Sequence, residues 1–142
     1  MPTDTETERQ SALANRFSTK YRDGQTALCQ DIERKVFGCV YGATSWTTKD
    51  EANAVSKRLD LGPAARLLDV GAGTGWPSIY WVGETGCDVV CLDLPFEGLQ
   101  VALRRAEKDG VSEKLSAVSG DGASLPFYEK SFDAVFHSDV FC

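Results

Sequence analysis

The chain has 142 residues, 42% of them hydrophobic and 25% charged, which is the composition of one ordinary globular domain or of part of one. No apolar run approaches the roughly 18 residues of a membrane span, and the polar start MPTDTETERQ has no signal-peptide pattern, so a cytoplasmic protein is expected rather than a membrane or secreted one. Fifteen Lys plus Arg against 21 Asp plus Glu give a net charge of −6, and without a basic block to neutralise phosphates nucleic acid is not an expected partner.

Residues 1–10 carry Asp4, Glu6 and Glu8 with almost nothing apolar, so they cannot offset their ordering entropy and are expected to form a disordered tail. Leu13, Phe17 and Tyr21 then recur every fourth residue, Asp23-Gly24 breaks the pattern, and Leu28, Ile32 and Val36 resume it. This spacing predicts two short amphipathic helices. A loop with Tyr41 and Trp46 follows. Thr48 with Glu51 matches a capping box, opening a third helix over Ala52, Val55 and Leu59 that stops before Gly62-Pro63. Residues 11–62 thus read as an N-terminal helical cover, and 63–142 as the main domain.

That domain opens with the apolar run Arg66–Val70, a glycine cluster, Pro77 at a helix start, and a second apolar run, Val89–Asp93. Strand, helix and strand in so short a stretch make a βαβ unit. Phe96, Leu99, Leu103 and Ala106 mark the next helix, stopped by Gly110, and Leu115–Ser119 and Ala134–Phe136 read as two further strands. Such alternation predicts an α/β, doubly wound parallel sheet. The five cysteines (Cys29, Cys39, Cys87, Cys91 and Cys142) contain no CxxC pair and are expected to be buried thiols of a cytosolic, reducing compartment. His137 is the lone histidine, so a zinc cluster is not expected.

The run Asp69-Val70-Gly71-Ala72-Gly73-Thr74-Gly75 lies between strand and helix, where glycines allow a tight turn and close backbone approach to a small ligand. A dinucleotide fingerprint, G-x-G-x-x-G, would need its third glycine where Trp76 stands, and no Gly-Lys-Ser/Thr follows for a P-loop. A glycine turn without a ligand sacrifices chain entropy for no evident packing return.

This run resembles the first motif of the Rossmann-like, class I S-adenosylmethionine-dependent methyltransferases, acidic-x-Gly-x-Gly-x-Gly, matched by Asp69, Gly71, Gly73 and Gly75. The similarity continues in order through Asp93, Gly120-Asp121-Gly122 with Leu125-Pro126-Phe127, and Phe132–Val135 followed by His137-Ser138-Asp139, so that it covers residues 66–142. GDGASLPF with FDAVF looks most like the small-molecule members that methylate ubiquinone precursors and sterols. The resemblance implies S-adenosyl-L-methionine as cofactor, lying over Gly71, Ala72, Gly73, Thr74 and Gly75. Asp93, with Leu94 beside it, would accept from the ribose hydroxyls; Asp121 would accept from the adenine amine, with Gly122 against the ring; and Asp69 would fix the loop or reach the cofactor's amino group. The family's sheet begins with the strand order 3-2-1-4 and continues beyond it, so this chain is expected to be the N-terminal half, truncated after the fourth strand. That strand would then be an open edge through which copies self-associate.

Methyl transfer is an in-line displacement at a carbon already activated by a sulfonium, so positioning supplies most of the catalysis and no nucleophilic residue is required. An acceptor hydroxyl or acidic carbon would use a base, for which His137 and Asp139, just past the fourth strand, are the available residues. Asp139 could instead be one ligand of a magnesium site, but the resemblance is to metal-independent members, so no metal is expected. Tyr41 and Trp46 are expected to belong to a cover over the transfer centre. Asn-Pro-Pro-Tyr, carried at this point by relatives that methylate nucleic-acid and glutamine amines, is absent, which points to a small-molecule acceptor. Two other readings stay open: an NAD(P)-binding oxidoreductase and a non-catalytic cofactor-binding fragment.

Overall fold

The computed structural model describes residues 4–42, 45, 47–138 and 140. Strands β1 (Arg66–Val70), β2 (Asp88–Asp93), β3 (Leu115–Ser119) and β4 (Ala134–His137) form one parallel sheet in the order β3-β2-β1-β4. Helices α1 (Asp4–Asp23), α2 (Ala27–Phe37) and α3 (Lys49–Arg58) precede the sheet; α4 (Ser78–Thr85) joins β1 to β2, and α5 (Phe96–Lys108) joins β2 to β3. The expected α/β, Rossmann-like sheet order is the one that forms.

The central strands are mostly apolar because both of their faces are covered, and the carboxylates Asp69 and Asp93 stand at or next to their carboxyl ends. On one face Leu67, Val89, Cys91 and Leu115 pack with Ile79, Trp81 and Val82 of α4, Leu99 and Ala106 of α5, and Ala52 of α3. On the other, Leu68, Val70, Val90 and Leu92 meet Val118, Phe127 and Phe132. Pairing of Leu67 with Val89 on one side and Ala134 on the other puts β1 in the middle, so the loop that leaves its carboxyl end has neighbours on both sides.

The capping box forms as its sequence predicts: Thr48 Oγ1 accepts from the Glu51 amide at 3.3 Å, and the Glu51 carboxylate accepts from the Thr48 amide at 2.7 Å. α3 is tied to α4 by two donors, Trp81 Nε1 to the Ala52 carbonyl at 2.8 Å and the Tyr80 hydroxyl to Asn53 Oδ1 at 2.6 Å.

Two features differ from expectation. Where a disordered tail over residues 1–10 is expected, α1 already begins at Asp4; residues 5–10 are exposed, so composition correctly finds no burial there but does not decide backbone conformation, which α1 propagates outward from its docked end. α2 also turns the other way round. Leu28, Ile32 and Val36 are 71%, 50% and 66% exposed, and the buried side chain of α2 is Glu33, whose Oε2 accepts from the Gly42 amide at 3.0 Å. Periodicity identifies an apolar stripe but not whether another element covers it.

Candidate functional site

Parallel strands end together at one edge, and here the carboxyl ends of β1, β2 and β4 with the segment after β3 open on a cavity of about 490 Å³. The glycine loop forms one wall. Its conformation is set by three internal bonds: the amides of Gly71 and Ala72 both donate to the Leu92 carbonyl, at 2.7 and 3.1 Å, and the Gly73 amide donates to Asp93 Oδ2 at 2.7 Å. A Cβ at Gly71, whose φ is +77°, would run into Val140, so only glycine fits there.

Gly71, Ala72 and Gly73 line the cavity, whereas Thr74 and Gly75 are absent from its wall. Thr74 is buried on the far side, where its carbonyl and hydroxyl accept from Arg105 Nη1 at 3.0 and 3.3 Å. At Gly75 an added Cβ would lie 2.8 Å from Ile79 Cδ1 and 3.0 Å from Ala102 Cβ, so this glycine lets the loop pack between α4 and α5. Thr74 and Gly75, both expected to touch a cofactor, thus lie behind the cavity wall, where the turn carries them.

Asp69 and Asp93 supply the charge. Asp69 is 2% exposed and accepts from Ser78 Oγ at 2.6 Å; burial pushes its carboxyl up to about 7, the Ser78 bond opposing and the Asp93 charge adding to the rise. Burial also raises Asp93, against the lowering effect of three donors, the amides of Gly73 and Leu94 and the Tyr21 hydroxyl. No Lys, Arg or His side chain is among the described residues lining the cavity, and no three His, Cys, Asp or Glu side chains converge as a metal site among the described residues. The field inside thus favours a ligand with positive charge and hydroxyl or amine donors.

Leu94, Asp121 and Gly122 line the cavity. Asp121 is also a turn residue, its Oδ1 accepting from the Ala123 amide at 2.8 Å. Phe136 of β4 and Ser138, just past the strand, reach the wall. His137 lies between them, and a strand's side chains alternate, so it points to the opposite face and is exposed there. His137 is not among the described residues that line the cavity. Asp139 and Trp46 lie outside the described residues. Tyr41 is not a cover: it is buried, stacked on Trp76 with ring centroids 4.2 Å apart, and its hydroxyl accepts from the Lys49 amide at 2.9 Å.

The cover that does exist is α1, through Leu13, Ala14, Phe17 and Tyr21. The Tyr21 hydroxyl donates to Asp93 Oδ2 at 3.3 Å. Four-residue spacing marks these positions as one face, but nothing local predicts that the face meets a carboxylate 72 positions away. Trp76, Phe136 and Ser138 are likewise wall residues that only packing reveals.

Comparison with known proteins bears on this edge of the sheet. A sterol 24-C-methyltransferase of Gibberella zeae is 38% identical over 82 residues, 58% of this chain and 22% of that protein. A demethylmenaquinone methyltransferase of Renibacterium salmoninarum is 41% identical over 73 residues, 51% of this chain and 28% of that protein. The chain therefore spans under a third of these relatives. In fold it is similar to an S-adenosylmethionine-dependent methyltransferase from Thiobacillus denitrificans, crystallised with S-adenosyl-L-homocysteine, with a TM-score of 0.60 at 23% identity over 80% of this chain and 44% of that one. Residues 68–142, which carry the glycine loop and every strand end around the cavity, match the methyltransferase domain family, and the chain belongs to that family.

Proposed function

We propose that the cavity binds S-adenosyl-L-methionine and that this chain is the cofactor-binding part of a methyltransferase acting on a small-molecule acceptor in the cytoplasm. The observation that carries this reading is the pair of carboxylates, Asp69 and Asp93, on the floor of a cavity whose described lining has no cationic side chain. Such a floor suits a cationic ligand with a ribose and disfavours the pyrophosphate of a dinucleotide. The loop amides argue the same way, since Gly71, Ala72, Gly73 and Gly75 donate to acceptors of the chain itself and are not presented to a phosphate. A volume of about 490 Å³ is within the range for cofactor sites.

When bound, S-adenosyl-L-methionine supplies a methyl group activated by its sulfonium. The chain's part is to hold and shield. Asp93 accepts from hydroxyl donors, Asp69 provides negative charge beneath a cation, Asp121 and Gly122 are at hand for the adenine, and Trp76, Phe136 and Phe17 keep water from the cavity. The relatives named for sterols and demethylmenaquinone support an apolar acceptor, and the −6 net charge supports a partner other than nucleic acid.

Calorimetry with S-adenosyl-L-homocysteine and with NADH tests the reading. The chain should bind the first and not the second, and Asp93→Ala should cost about 1.5–3 kcal/mol of that binding, as for hydrogen bonds to a charged acceptor. Binding of NADH alone, or unchanged affinity in the Asp93 variant, would overturn it.

A further inference from the structure

Asp93 already serves three donors: Gly73 N at 2.7 Å and the Tyr21 hydroxyl at 3.3 Å on Oδ2, and Leu94 N at 2.8 Å on Oδ1. An ionised carboxylate offers about four lone-pair positions. A ribose diol brings two more donors, so one of the present three has to give way. Neither amide can withdraw readily. Gly73 is in the loop anchored to Leu92, and Leu94 is the next residue along the chain from Asp93. Tyr21 makes the longest of the three bonds and belongs to a separate element. Ser18 is the other buried residue among the described side chains of α1, held by its hydroxyl donating to Glu97 Oε2 at 2.9 Å.

We propose that the Tyr21 hydroxyl occupies, on Asp93, the acceptor position that a ribose hydroxyl of the ligand takes, so that Tyr21 sets the affinity and ribose selectivity of the site by competing for it. This rests on the cavity's binding the nucleoside of S-adenosyl-L-methionine, as proposed above.

The seat of the ring supports a built contact rather than a chance one. Tyr21 lies against two glycines: a Cβ at Gly98 would be 2.7 Å from its ring carbons, and one at Gly73 would be 3.3 Å away. Any side chain at Gly98 would push the phenol off the line to Asp93. Burial and the neighbouring Asp93 carboxylate both raise the phenol pKa, so it stays a donor throughout the physiological range. Both the ring and the carboxylate line the same cavity. The competition requires no covalent change, only the exchange of one O–H donor for another as α1 shifts.

The test uses the full chain, the Tyr21→Phe variant, S-adenosyl-L-homocysteine, and the same ligand lacking both ribose hydroxyls. Phenylalanine keeps the ring in its seat, which equal thermal unfolding of the two proteins checks. Tyr21→Phe should bind S-adenosyl-L-homocysteine about three- to tenfold more tightly than the wild type, while affinity for the dideoxy ligand stays within about twofold. An unchanged or weakened affinity for S-adenosyl-L-homocysteine overturns the proposal, as does an equal gain for both ligands, because either shows that the phenol and the ribose do not share an acceptor. A wild-type chain that binds neither ligand overturns the cofactor reading and this proposal together, a result distinguishable from the other two.

Discussion

Asp69, the last residue but one of β1, lies inside the protein, and its protonation is coupled to folding. Its carboxyl titrates at about 7 in the folded chain against an ordinary 3.8. Between those values the folded chain holds the proton that the unfolded chain has lost, so stability falls as pH rises, and the loss is complete above about pH 7. Asp69→Asn keeps the shape without the charge. At pH 8 it should stabilise the ligand-free chain by up to about 4 kcal/mol, with the gain vanishing near pH 4, as thermal melts at the two pH values would show. The same variant should bind S-adenosyl-L-homocysteine, with its ammonium group, more weakly. Gly75 presents the opposite case. Its φ of +93° and its contacts with Ile79 and Ala102 leave no room for a side chain, so Gly75→Ala should cost about 2–4 kcal/mol in denaturant unfolding. These two residues sit in one motif, yet one supplies charge to the cavity and the other only packs behind it, a division that the spacing of the glycines does not reveal.

Elements differ in how far their own residues account for them. The capping box of α3 is local, since Thr48 and Glu51 satisfy each other's backbone donors wherever the helix lies, and Thr48→Ala should cost about 1 kcal/mol of stability in a denaturant titration. The docking of α3 matters to the site because Trp76 Nε1 donates to the Thr47 carbonyl at 2.7 Å, tying the segment before α3 to the end of the glycine loop. The α2 stripe of Leu28, Ile32 and Val36 has the same four-residue period as Leu13, Phe17 and Tyr21 of α1. One face is exposed and the other covers a cavity. Period alone cannot separate these outcomes, because the neighbours that cover a helix come from distant parts of the chain. In β4 the alternation of Ala134, Val135, Phe136 and His137 is plain in sequence, but which of its two faces meets the core depends on register with β1, and that register sends Phe136 inward onto Trp81 and His137 outward.

At the scale of the whole molecule, β4 pairs with β1 and has an open edge among the described residues. Val135 is 56% exposed on one face of that strand. A strand edge with unpaired amides and carbonyls beside apolar side chains recruits further strands, so we expect the 142-residue chain to self-associate. Sedimentation velocity over a concentration series checks this, and a monodisperse monomer at all concentrations would count against it. The α/β class and the glycine turn were legible because they depend on short-range patterns: apolar runs long enough for a strand, an acidic-glycine sequence at a strand end, and helical spacing between them. The strand order was implied only by the resemblance to a known family. Asp93, Asp121 and Gly122 reached the cavity because parallel strands bring their carboxyl ends to one edge whatever the details of packing. The cover of that cavity was decided elsewhere. Tyr21 reaches Asp93, Tyr41 is buried on Trp76, and His137 faces away, and each follows from how separate elements dock, where burial of shared surface rather than sequence neighbourhood selects the contacts.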